Sequence, residues 1–106
     1  MKPLRFVGTS HADLAAFPDG VRRAAGFELW QVREGLMPSD FKPLLEVGRG
    51  AYEIRVHVAG EWRVIYVARF SAAVYVLHAF QKKTRKTTQQ DIDLARRRYR
   101  QIEGGR

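Results

Sequence analysis

The chain has 106 residues, is 45% hydrophobic and 11% aromatic, and carries a net charge of +8 with no Cys. That suits a single domain, residues 1–106, with a core of its own, and it excludes disulfides and thiolate metal sites. No apolar run approaches the roughly 20 residues of a membrane span, and the opening MKPLRFVGTS is too short and polar for a secretory signal, so a cytoplasmic protein with no membrane partner is expected.

Residues 4–8 read as a short first strand. Ser10, with Asp13 three positions on, has capping-box spacing and opens a short helix over His11 to Phe17. Pro18 restarts the helix. Val21, Ala25, Leu29, Val32 and Leu36 then recur at steps of three and four, the apolar stripe of an amphipathic helix. Arg22, Arg23, Gln31, Arg33 and Glu34 take its other face, and Gly35 is the stop signal. Residues 37–50 are rich in Pro and Gly and read as a loop, with a short strand at Leu44 to Val47.

The clearest alternation follows. Tyr52, Ile54, Val56 and Val58 point one way and Glu53, Arg55 and His57 the other, as in a half-buried strand. After a turn at Ala59-Gly60 come strands over Trp62 to Phe70 and Ala73 to Phe80, an antiparallel meander. Thr88 and Asp91 repeat the capping-box spacing. Ile92, Ala95, Tyr99 and Ile102 mark the buried side of a last helix, with Arg96, Arg97, Arg98 and Arg100 on its solvated face and a frayed GGR end. The order β-α-α-(β)-β-β-β-α is that of an α+β domain. Two N-terminal helices pack on one face of a mainly antiparallel twisted sheet, leaving the charged face open, and a C-terminal helix follows.

Charge is concentrated late. From Lys82 to the end there are nine Lys or Arg against three acids, a net +6. Such a cluster attracts a polyanion, either nucleic acid or an acidic protein. If the three strands are neighbours, Arg55, Arg63 and Arg69 on the polar sheet face are expected within side-chain reach of Lys82, Lys83, Arg85 and Lys86, and Arg97 adds charge on the last helix. The plain reading is a solvated face. The sharper one is a phosphate clamp, because Arg grips phosphate with paired hydrogen bonds and Lys acts as a point charge. If the chain cuts RNA, Glu53 or His57 is the candidate base, and Lys82, Lys83 or His78 the candidate acid. His78 shares parity with Val74, Val76 and Phe80, which also suits a hydrogen-bonded core His. Three His and scattered acids show no metal-ligand spacing, and Gly48-Arg49-Gly50 lacks the flanking elements of a phosphate loop. No metal, cofactor or small-molecule partner is expected.

The segments YEIR (52–55), WRVIY (62–66), VLHAFQKKT (76–84), Lys86-Thr87 and the Asp91-Ile92 and Ala95-Arg96 pairs resemble the phage-derived Gp49-like proteins. These belong to the RelE/ParE/HigB toxin superfamily of type II toxin–antitoxin systems. The resemblance covers nearly the whole chain. It implies a RelE-like fold and a metal-independent endoribonuclease that cleaves mRNA on the translating ribosome by attack of the ribose 2'-hydroxyl, neutralised by a co-encoded antitoxin. It assigns Arg63 to the family's central-strand arginine, Arg55 to a basic position one strand earlier, and Lys82 or Lys83 to the basic residue after the last strand. Some members end in a catalytic His or Tyr. Here an Arg-rich helix follows instead, and the resemblance does not assign base and acid. Gyrase inhibition of the ParE kind and a non-catalytic basic nucleic-acid-binding module are the alternatives.

Overall fold

The computed structural model describes residues 1–104. Its elements are β1 (Leu4–Phe6), α1 (Ser10–Ala15), α2 (Asp19–Arg33), β2 (Phe41–Pro43), β3 (Ala51–Val56), β4 (Trp62–Val67), β5 (Val74–Gln81) and α3 (Gln89–Gly104). The sheet is mixed. Its strand order is β1-β5-β4-β3-β2, antiparallel throughout except that β1 runs parallel to β5. The fold is α+β, with the helix pair between β1 and the remaining strands.

The sheet does not leave its charged face open. α1 and α2 cover one face, where Leu14, Phe17, Val21, Ala25, Leu29 and Val32 meet Ile54, Val64, Tyr66 and Val76. α3 crosses the other face, where Ile92, Ala95 and Tyr99 pack on Ala51, Ile65, Val67 and Leu77. The cause lies in β4. Both of its parity sets are apolar apart from Arg63, and every residue in it is buried. A strand of that composition needs a cover on each side.

Local signals decide where elements end. α2 closes in a Schellman motif: Gly35 sits at φ 90°, its N–H donates to Val32 O, and the Leu36 N–H donates to Gln31 O. Leu36, expected on the buried stripe, is therefore past the helix and 55% exposed. Val58 likewise lies past β3 and is exposed. The cap of α1 is Thr9, not Ser10. Ser10 is fully buried and donates to the Val76 carbonyl, tying α1 to β5. The edge strand comes three residues before the expected one. Phe41–Pro43 pairs with β3, while Leu44 and Val47 turn inward under α3. At α3 the capping box forms as expected, since the Asp91 N–H donates to Thr88 Oγ1 at 3.1 Å. Gly104 belongs to α3, and Gly105 and Arg106 of the expected frayed end lie outside the described residues.

One irregularity redirects side chains. In the β4–β5 ladder Ile65 faces His78 but Tyr66 faces Val76, so Leu77 is bulged out of register. Beyond the bulge, parity reverses. His78 and Phe80 lie on the α3 face, with Ile65 and Arg63, not with Val74 and Val76.

The α3 face is packed closely at Gly48. A Cβ built there would lie 2.6 Å from the Tyr99 ring. That ring cannot swing away freely, because its hydroxyl donates to the Arg49 carbonyl at 2.6 Å. Gly48→Ala is expected to lower stability by about 1–3 kcal/mol, read as a fall in the denaturant midpoint with an unchanged slope.

Candidate functional site

The β3–β4 register sets Arg55 directly opposite Arg63, and β4–β5 sets Phe80 beside Arg63. Two cations in facing positions repel, and the surrounding carboxylates offset this. Arg63 is only 4% exposed. Its Nη1 donates to the Trp62 carbonyl at 2.9 Å and its Nη2 to Glu61 Oε1 at 3.0 Å. Glu53, 2% exposed, has Oε1 3.7 Å from Arg63 Nε, and its other oxygen accepts from the Thr87 hydroxyl. Arg55 is half-buried, with Nη1 3.9 Å from Asp40 and a buried Nε that has no partner.

His57 stands at the exposed end of this row. Its Nδ1–H donates to Glu61 at 2.8 Å and its Nε2–H to Asp40 Oδ2 at 2.6 Å. Because each ring nitrogen faces a carboxylate, both act as donors, which is the imidazolium form. The hydrogen bond to Glu61, then that to Asp40, raises the His57 pKa, while the same contact lowers that of Glu61. An imidazolium is an acid, so with both ring nitrogens donating His57 fits the role of proton donor better than the role of base.

The loop between β5 and α3 brings the remaining cations. The Lys82 N–H bonds to the Glu61 carbonyl, which places the loop against the row. Lys82 Nζ folds back onto the Arg85 carbonyl at 2.6 Å. The side chains of Lys83, Arg85 and Lys86 are exposed and make no hydrogen bond or ion pair among the described residues. Behind them, His78 Nε2 donates to Asp91 at 2.7 Å and its ring stacks on Phe80 with centroids 4.6 Å apart.

Arg55, Arg63 and Glu53 thus converge, His57 joins them through Glu61, and the backbone of Lys82 brings the 82–86 loop alongside. Arg69 does not join them. It lies past the opposite end of β4, where it donates to Tyr99 and Arg49 and pairs with Glu103 at 3.3 Å. Arg97 is exposed on α3. Arg98, expected on the solvated face, is 8% exposed and clamps the Leu77 carbonyl and the Thr9 hydroxyl. Its neighbour Arg96 donates to the Glu46 carbonyl. The helix lies close enough to the sheet and to α1 that its flanking Arg residues find backbone acceptors.

Sequence reasoning misses Glu61, Asp40 and Phe80. Glu61 and Asp40 lie in loops with no motif of their own, and their proximity to His57 arises from the β3–β4 hairpin and the β2 edge. Simple alternation puts Phe80 on the wrong face because no sequence signal marks the bulge. Among the described residues no three His, Asp or Glu side chains are grouped to hold a metal ion.

The His57 bridge has a defined pH window. A raised folded pKa means that the stabilisation is full below the unfolded value of 6.5 and is lost as pH rises through the raised value. A lowered Glu61 pKa means that its share is lost as pH falls below its ordinary 4.5, through the lowered value. Titration of the His57 ring by NMR is expected to give a midpoint above 6.5, and Glu61→Gln is expected to move it downward.

The family model of the phage-derived protein Gp49-like (DUF891) matches residues 12–100, which run from within α1 through most of α3 and hold the whole convergent row. No curated protein matches the chain. With most of its length matched, the chain belongs to the Gp49-like family of phage-derived proteins, a toxin-like family.

Proposed function

We propose that the chain is the toxin of a type II toxin–antitoxin pair, an endoribonuclease that cleaves mRNA on translating ribosomes without a metal and so arrests protein synthesis in the cytoplasm. The observation that carries this reading is the facing Arg55–Arg63 pair beside a loop whose Lys83, Arg85 and Lys86 side chains make no hydrogen bond or ion pair among the described residues. The family's association with RNase-type toxins supports it.

The chemistry needs three things. A base takes the proton of a ribose 2'-hydroxyl, and the 2'-oxygen attacks the adjacent phosphorus to form a cyclic phosphate. The bond from phosphorus to the 5'-oxygen breaks, and that oxygen takes a proton from an acid. Negative charge grows on the phosphate as the attack proceeds, and preorganised cations stabilise it. Arg55, held only by a 3.9 Å pairing with Asp40, and the exposed Lys83 are the groups that grip the phosphate. Arg63 is held by Glu61 and the Trp62 carbonyl, so it acts as the fixed cation at the centre. His57, kept protonated by its two carboxylates, is the candidate acid for the leaving oxygen. Glu53 is the candidate base, reached once the Thr87 hydroxyl gives way. Phe80 offers a ring for a base to stack on. Lys82, Arg85 and Lys86 add the field that draws RNA to the row, and an acidic antitoxin would be steered by the same charge.

A second reading has one observation behind it. Arg63 already pairs with Glu61 at 3.0 Å and lies 3.7 Å from Glu53, which suits a non-catalytic basic module that only binds RNA.

Induction of the chain without its antitoxin, with mRNA 5' ends mapped, tests the reading. Rapid translation arrest with new cleavage sites is expected. Arg55→Ala with Lys83→Ala should cut cleavage by about ten- to a hundredfold, or roughly 1.4–2.8 kcal/mol of barrier, and leave Tm nearly unchanged, since both side chains reach the surface. Arg63→Ala should abolish cleavage and also lower Tm, because it leaves Glu53 buried beside no cation. Full toxicity of the double variant would sink the assignment of the row. Arrest with intact mRNA would point to gyrase, and salt-steep RNA binding without cleavage to the binding module.

A further inference from the structure

A second recess lies on the other face of the sheet. It is a cavity of about 300 Å³ between the C-terminal end of α2 and the strands. Tyr52 and Tyr66 line it with stacked rings, centroids 5.8 Å apart. Tyr66 is 1% exposed, and its hydroxyl makes no hydrogen bond among the described residues and stays accessible from the cavity. Burial pushes its pKa up, so the phenol stays a neutral donor. Leu36 and Met37 stand at the cavity, 55% and 47% exposed. They are exposed because the Schellman motif at Gly35 turns the chain away from the helix axis.

The rim is cationic. The Lys2 ammonium is held over the cavity by the carbonyls of Ala68 and Phe70, and Arg33 is fixed through Nε to the Lys2 carbonyl at 2.8 Å. Neither pairs with a carboxylate among the described residues. An apolar recess thus carries an unpartnered tyrosine hydroxyl and two positioned, uncompensated cations. None of these features serves the Arg55–Arg63 row, which faces the opposite side.

We propose that this cavity is a docking site for an acidic segment of a partner protein, which seats one large apolar side chain against Tyr52 and Tyr66 and sets carboxylates on Lys2 and Arg33. The volume lies at the bottom of the range for ligand pockets, enough for one anchoring side chain. A second copy of the chain is disfavoured because each carries +8. Apolar walls beneath a cationic rim favour an amphipathic peptide over a phosphate chain, which would leave the cavity unfilled. The site stands whether or not the other face cleaves RNA.

The test uses the full chain, labelled for amide NMR, and a synthetic peptide in which acidic residues flank a single Phe. Saturable shifts are expected at Gly35, Met37, Tyr52, Tyr66 and Ala68. Replacing the Phe by Ala should weaken binding about tenfold or more, as for a buried anchor. Met37→Asp, an exposed position where the fold should survive, should do the same by setting a like charge at the mouth. Tyr66→Phe, which keeps the ring and removes the hydroxyl, should weaken it a few-fold. The proposal is overturned if the peptide leaves these residues unmoved, if the Ala peptide binds equally well, if the shifts fall on the 82–86 loop, or if a short RNA competes for the same residues.

Discussion

The structure turns on β4. Trp62–Val67 sits at the middle of the sheet, paired on both edges and buried on both faces. Its neighbours must therefore carry helices front and back, and the chain supplies α1 and α2 for one side and α3 for the other. This one constraint explains why a basic, Arg-rich last helix packs down on a sheet face that alternation alone marks as wet. It also explains why Glu53 and Arg63 on that face are buried and set against each other.

Arg63 is the exception inside β4, and the candidate site is organised around it. A buried guanidinium costs several kcal/mol unless it is compensated. Compensation comes from the Trp62 carbonyl, Glu61 and Glu53, and both carboxylates are held in turn. Glu61 is gripped by His57, and Glu53 is capped by Thr87 from the edge of α3. The row from Asp40 to Thr87 is thus a chain of alternating charge fixed by strands, a hairpin and a helix approach. Such preorganised polar groups are what a phosphate transition state requires, and their ion pairing offsets the burial of Arg63 when no substrate is present.

The two faces carry different chemistry. On the α3 side, cations crowd a polar row beside a single aromatic ring. On the α2 side, cations rim an apolar recess floored by tyrosines. The first matches a polyanion and the second an acidic amphipathic surface. Because the sheet lies between them, occupying one need not block the other, and a partner seated behind the sheet would meet the polar row only through the strands themselves or by reaching around an edge.

Much of the fold is legible in the chain. The α2 stripe, the β3 alternation, the Thr88–Asp91 cap and the element order follow from periods and caps that reside in adjacent residues, and these signals need no tertiary partner. The family resemblance is legible for the same reason, since it rests on contiguous motifs. Three things are not. The double burial of β4 is written in its two apolar parity sets, but which helix covers each face depends on packing. The bulge at Leu77 reverses the parity of His78 and Phe80, because register is settled between strands and not within one. The roles of Asp40 and Glu61 arise only when separate loops meet at His57. The sequence by itself determined the elements, the charge and the family. The tertiary structure alone decided which charges are buried, which are paired and which are free, because those properties belong to side chains distant in the chain and close in space.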